Sequence, residues 1–145
     1  MDSSLKEFKK ILKKNSLYVT KQRIALFTLL LNEQKPLSLQ ETAKLLDEKL
    51  DLVTVYRNVE SLERINIIKK FYTGWNYRIE LSEKFKAHHH HLSCSKCAKT
   101  IKIDLGIRIE NSLKQIANNH NFRLTNHEVE LYGFCQKCQS NSARI

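Results

Sequence analysis

The chain has 145 residues and carries 25 Lys and Arg against 15 Asp and Glu, a formal net charge of +10. One mid-sized domain or two small ones fit that length, and the cationic excess favours a polyanionic partner, nucleic acid first. No signal-peptide-like apolar run is present and no apolar stretch approaches the roughly 20 residues of a membrane-spanning helix, so the expectation is a cytoplasmic protein without a membrane partner.

In chain order, Leu5, Phe8 and Leu12 form one apolar stripe at helical spacing. Ile24, Phe27, Leu30 and Leu31 form a second, in a helix that begins near Thr20, a suitable N-cap. Pro36 closes the next loop. Ser38-Leu39-Gln40-Glu41 fits the capping-box pattern and opens a short third helix, and Asp51 is placed to cap a fourth carrying Leu52, Val55, Val59 and Leu62. Residues 67–72 and 77–81 are β-prone and separated by Thr73-Gly74-Trp75-Asn76, which reads as a hairpin. Helices followed by a hairpin is the order of a winged helix-turn-helix, in which the third helix braces the fourth and the fourth enters the major groove.

On the fourth helix Val55, Val59 and Leu62 define the buried side, so the neighbours Tyr56 and Arg57 lean towards the groove. Arg57 can grip a guanine edge or a phosphate, and Tyr56 can pack on a thymine methyl; Thr54 and Asn58 are adjacent polar candidates. Arg23, at the start of the second helix, is a further phosphate candidate. The alternative for Arg57 is a surface ion pair with Glu60 or Glu63. Lys6, Lys9, Lys10, Lys13 and Lys14 read as a solvated helix face, and Lys69 and Lys70 as wing cations adding salt-dependent affinity for phosphates.

Residues 83–87 form a polar connection between a DNA-binding half, 1–82, and a metal-binding half, 88–145, with an α+β pattern. The latter predicts a strand through the histidines, another around 100–103, a helix from about 107 to 120 and a strand from 122 to 134. Cys94/Cys97 and Cys135/Cys138 are two Cys-x-x-Cys pairs. In a reducing compartment such pairs read as thiolates closing one tetrahedral, structural zinc site, which would staple the two ends of this half together. A redox pair is the competing reading.

The run His88-His89-His90-His91 precedes the first pair. Alternation along a strand sends His88 and His90 to one face and His89 and His91 to the other, so the run feeds two sites. Imidazole suits zinc, iron, nickel and copper, with Glu80, Glu110, His120 and His127 as candidate partners. His120 also fits a helix C-terminus.

Thr54-Val55-Tyr56-Arg57, the His88–Cys97 segment, Leu124-Thr125-Asn126-His127 and Gly133-Phe134-Cys135-Gln136-Lys137-Cys138 together resemble the ferric uptake regulator family of bacterial metalloregulators. The resemblance implies a homodimer with an N-terminal winged helix and a C-terminal α/β dimerisation domain, repressing metal-uptake genes from a pseudo-palindromic double-stranded DNA operator. It implies structural zinc on Cys94, Cys97, Cys135 and Cys138. It further implies a regulatory site of Glu80, His89 and His91, and a second site of His88, His90, Glu110 and His127. In the loop where many members supply a further histidine ligand, this chain has Lys35-Pro36. The unbroken histidine run leans towards a zinc sensor, with Zn2+ or Fe2+ as the regulatory ion, and nickel, manganese or peroxide sensing as other family readings. From other classes, a zinc hydrolase lacks any His-Glu-x-x-His signature here, and a metal-buffering protein would leave the winged helix without a purpose.

Overall fold

The computed structural model describes residues 2–46, 50–73 and 76–139. The chain forms two compact units, Met1–Ala87 and His88–Ile145. Among the described residues no helix is long and apolar enough to cross a membrane.

The first unit contains helices α1 (Asp2–Lys14), α2 (Lys21–Asn32), α3 (Leu39–Leu45) and α4 (Leu52–Arg64), then strands β1 (Ile68–Thr73) and β2 (Asn76–Leu81). Local caps set the helix starts. The Thr20 side chain accepts from the Arg23 N–H, Ser38 and Glu41 exchange both bonds of a capping box, and Asp51 accepts from the Thr54 N–H. Each satisfies an amide that the first helical turn would otherwise leave unpaired.

The apolar stripes of α1, α2 and α4 converge. Phe8, Leu12, Leu26, Phe27, Leu30, Val55, Val59 and Leu62 are at most 1% exposed, and Ile67, Ile68, Ile79 and Leu81 close the core from the sheet. Phe8 and Phe27 stack with centroids 4.2 Å apart, and Phe85 meets Phe27 edge-on at 4.9 Å.

Chain exit from α4 is equally determined. Asn66 adopts φ 55°, Asn66 N–H bonds the Glu63 carbonyl and Ile67 N–H the Leu62 carbonyl, a Schellman ending that turns the backbone into β1. β1 and β2 pair antiparallel from Ile68↔Leu81 to Thr73↔Asn76, and Leu37 bridges Ile79 as a short third edge. The tip expected at Gly74-Trp75 lies outside the described residues.

In the second unit, β3 (His90–Cys94), β4 (Thr100–Ile103), α5 (Gly106–Asn119), β5 (Glu130–Gly133) and α6 (Gln136–Gln139) follow in order. The sheet order is β4-β3-β5, with β3–β4 antiparallel and β3–β5 parallel. Two expectations are corrected. The strand begins at His90 rather than His88, because β4 ends at Ile103, the partner of His90, leaving the preceding two residues no backbone to pair with. The last strand is only Glu130–Gly133, since residues 122–129 run alongside no neighbouring strand of this sheet.

The two units differ in what holds them. The first has a continuous apolar core. In the second, Cys94 and Cys138 are the only apolar side chains buried among the described residues, α5 buries none, and Ile107 and Phe122 stand 70% and 71% exposed.

Leu62→Ala, at the centre of the first core, is expected to lower the stability of that unit by about 2–5 kcal/mol in denaturant unfolding. Burial alone would raise the Glu41 pKa, but its bonds to Ser38, with Arg78 nearby, outweigh that and hold the carboxyl below its ordinary 4.5. A depressed carboxylate stabilises the fold above its unfolded pKa and loses that contribution as pH falls through the folded one. Glu41→Gln should therefore be less stable than wild type at pH 7 and converge with it below pH 4.5.

Candidate metal centres and nucleic-acid interface

Cys94 ends β3, Cys97 follows in a tight turn, and Cys135 and Cys138 flank the start and body of α6. The parallel β3–β5 pairing, Cys94 opposite Gly133, delivers the second pair beside the first. One sulfur from each cysteine lies within 4.8 Å of the others. None of the four is joined in a disulfide, and Cys97 Sγ and Cys135 Sγ are 3.7 Å apart, beyond the ~2.05 Å of a disulfide but matching the ~3.8 Å edge of a zinc–thiolate tetrahedron.

The Cys135 N–H donates to Cys94 Sγ at 3.3 Å, and this amide, with those of Cys97 and Lys96, draws the Cys94 thiol down to about 6. Burial and the adjoining sulfurs push Cys138 up to about 12. Four thiolates this close repel, so full ionisation requires a cation among them, and the donor set fits Zn2+. Ala98 completes the turn at φ 57°, a left-handed conformation that disfavours a β-carbon.

A second cluster gathers four side chains from separate parts of the unit: His88 before β3, His90 on β3, Glu110 on α5, and His127 from the stretch preceding β5. His88 Nε2 lies 3.1 Å from His90 Nε2 and 3.2 Å from His127 Nε2. His90 Nε2 is 2.9 Å from Glu110 Oε1, and His127 Nε2 is 3.0 Å from Glu110 Oε2. His90, followed by burial that opposes it and then the other histidines, keeps the Glu110 carboxyl below its ordinary value. Three imidazole nitrogens and a carboxylate with edges near the ~3.3 Å of a tetrahedral nitrogen site fit a divalent cation.

The alternation of faces persists into the irregular residues: the His89 and His91 rings meet each other at 4.9 Å, away from the His88/His90 cluster. Glu80 belongs to β2 of the first unit. His120 caps the end of α5 and joins neither histidine group.

Sequence reasoning passed over Glu130. It pairs with His91 across β3–β5, and its Oε1 lies 3.1 Å from His91 Nδ1, while its Oε2 is buried with no hydrogen-bond partner. A carboxylate at Nδ1 places the proton there and leaves the Nε2 lone pair for a metal. The signal was the parallel register, which a single strand does not reveal.

On α4, Tyr56 is 46% exposed and Arg57 is exposed beside it. Thr54 and Asn58 are half-buried, and Asn58 Nδ2 donates to the Thr54 carbonyl at 2.9 Å. Arg23 Nη1 donates to the Tyr18 carbonyl at 2.6 Å, which holds the guanidinium at the start of α2.

Sequence and fold together define a metal-responsive transcriptional regulator rather than an enzyme. Residues 14–132 match the Ferric uptake regulator family. The ferric uptake regulation protein of Campylobacter jejuni is 35% identical over 150 residues, covering 99% of this chain and 94% of that protein. The Helicobacter pylori ferric uptake regulator, whose structure is described as having three functional metal binding sites, superposes with TM-score 0.82 at 28% identity, over 95% of this chain and 93% of that one. The Vibrio cholerae ferric uptake regulator gives TM-score 0.75 at 32% identity, over 88% and 98%. The chain belongs to the ferric uptake regulator family.

Cys97→Ser is expected to remove one equivalent of tightly bound zinc, measured by elemental analysis, and to abolish the cooperative unfolding of the second unit. A folded variant that retains all its zinc would exclude a four-thiolate ion. Ala98→Gly should raise stability by up to about 1 kcal/mol, the relief of left-handed strain being partly offset by glycine's larger unfolded-state entropy.

Proposed function

We propose that this chain is a metal-dependent repressor that binds a pseudo-palindromic double-stranded DNA operator as a homodimer in the cytoplasm. The observation that carries this reading is the convergence of three imidazoles, His88, His90 and His127, with the Glu110 carboxylate, their ligand atoms lying within 4.8 Å of one another. In the same chain, Tyr56 and Arg57 present an exposed face on a capped helix.

Cys94, Cys97, Cys135 and Cys138 hold structural Zn2+ and close the second unit. Glu80, His89 and His91 serve as ligands of the regulatory ion, with Glu130 orienting His91. His88, His90, Glu110 and His127 form a further site. A bound divalent ion supplies a centre of fixed coordination geometry that several side chains share. Ligation of the ion favours the dimer in which two α4 helices are spaced for the two half-sites of the operator. The exposed apolar side chains of the second unit, Ile107, Ile116, Phe122 and Phe134 among them, support burial against a second copy.

Thermodynamically the ion need only favour the DNA-competent arrangement, and DNA then tightens the ion by the same factor. Arg57, Tyr56, Thr54, Asn58 and Arg23 make the DNA contacts. For the sensed metal, imidazole nitrogens outnumber the carboxylate both in the regulatory set of Glu80, His89 and His91 and in the further set of His88, His90, Glu110 and His127, which favours zinc. A second reading, ferrous iron, is favoured by relatives named as ferric uptake regulation proteins.

Fluorescence anisotropy on the protein's own upstream DNA, with chelator-treated protein titrated separately with zinc and anaerobic ferrous iron, tests the reading. Tightening by one metal identifies the signal, and an affinity indifferent to both removes zinc and ferrous iron as that signal. His89→Ala should lose the metal-stimulated increment while keeping the thiolate-bound zinc. Arg57→Ala should cost about 1–3 kcal/mol of operator binding with metal content unchanged.

A further inference from the structure

Lys70, read from sequence as a wing cation available to phosphate, is not on the surface. Its side chain is 7% exposed. Nζ bonds Glu60 Oε1 and lies 2.6 Å from Glu63 Oε2, and it sits 4.9 Å from the centre of the Tyr77 ring. Glu60 and Glu63 are three residues apart on α4 and so share a face, while Lys70 on β1 and Tyr77 on β2 belong to the wing. These two carboxylates are therefore engaged by the wing lysine rather than by Arg57.

Burial by itself would lower the Lys70 pKa, but the two carboxylates outweigh it and hold the ammonium above its ordinary value. The cation is permanently charged, and half-buried carboxylates hold it more strongly than a solvent-exposed pair would. The Schellman turn at Asn66 fixes only the end of α4. Rotation of the helix about its own axis is opposed by a polar contact one turn beyond Tyr56 and Arg57, at Glu60.

We propose that Lys70 is a positioning residue for sequence-specific DNA binding: by gripping Glu60 and Glu63 it locks α4 against the β1–β2 wing and sets the direction of Tyr56 and Arg57, without itself contacting DNA. This rests on the repressor reading above. It distinguishes Lys70 from a phosphate contact by an effect confined to specific complexes, because a tilted helix loses base edges while the summed surface charge is nearly conserved.

The test uses the full-length, metal-loaded protein. A duplex is enriched from random-sequence DNA by the wild type, in parallel with zinc and with ferrous iron, and compared with its scrambled counterpart by anisotropy across a salt series. Lys70→Gln should weaken the enriched duplex by about 10-fold and the scrambled one by no more than about 2-fold, with the salt slope unchanged. Lys70→Arg, which keeps the cation, should recover most of the loss. The double variant Glu60→Gln/Glu63→Gln should also lose specific affinity although it removes two negative charges near the DNA.

Equal losses on both duplexes with a salt slope smaller by about 1 would mean a phosphate contact and overturn the proposal. So would tighter specific binding by the double glutamine variant, or a specificity ratio unchanged in both. If Lys70→Gln fails the circular-dichroism check for folding, the arginine and double glutamine variants decide. A wild type that enriches no sequence with either metal overturns the repressor reading and this inference with it, whereas with normal wild-type enrichment the variants bear on the role of Lys70 alone.

Discussion

Four sulfur atoms within 4.8 Å of one another are the constraint on which the second unit depends. Apolar burial, the usual source of stability, is nearly missing there, since among the described residues of that unit only Cys94 and Cys138 are both apolar and buried. Small domains with so little core need another device, and metal ligation or association with a second copy are the available ones. The parallel β3–β5 pair brings the thiols together but cannot by itself overcome their mutual repulsion once ionised.

The first unit is held in the opposite way. Its three long helices and two strands bury a continuous set of large side chains, and its polar groups are used for alignment rather than for stability in bulk. Arg78 illustrates the pattern, donating to Glu41 at 2.8 Å and to the Pro36 carbonyl at 3.1 Å, so that the wing is fastened to the start of α3. Lys86 similarly donates to the Glu33 carbonyl at 2.7 Å and fastens the last turn of the unit to the end of α2. A unit folded independently of ligand can present a fixed reading surface, while one that answers to an ion must leave part of its stability to that ion.

Much of this was legible in the sequence wherever the determinant was local. Thr20, Ser38 with Glu41, and Asp51 marked the helix starts because an N-cap acts within three residues. The histidine faces were legible because alternation is a property of extended backbone and survives just beyond the paired strand. Strand lengths were not, because residues 122–129 can be β-prone without any neighbour to bond. Glu130 beside His91, and Lys70 between Glu60 and Glu63, were hidden for a related reason: each depends on residues brought together by register across a sheet or between helix and wing. The left-handed turn at Ala98 was hidden too, since nothing in its side chain announces a positive φ.

The parallel pairing of β3 with β5 has a kinetic corollary. Parallel neighbours cannot be joined by a tight turn, so His91 meets Glu130 only after β4 and all of α5 have been threaded between them. Closing so long a loop is entropically slow, and contacts of high sequence separation form late. The two cysteine pairs sit at the two ends of that loop. An ion captured first by Cys94 and Cys97 would wait for Cys135 and Cys138 to arrive, and each encounter that completes the tetrahedron also sets the register of the sheet. Metal supply would then govern how fast the unit reaches its native topology, as well as how stable it is once there.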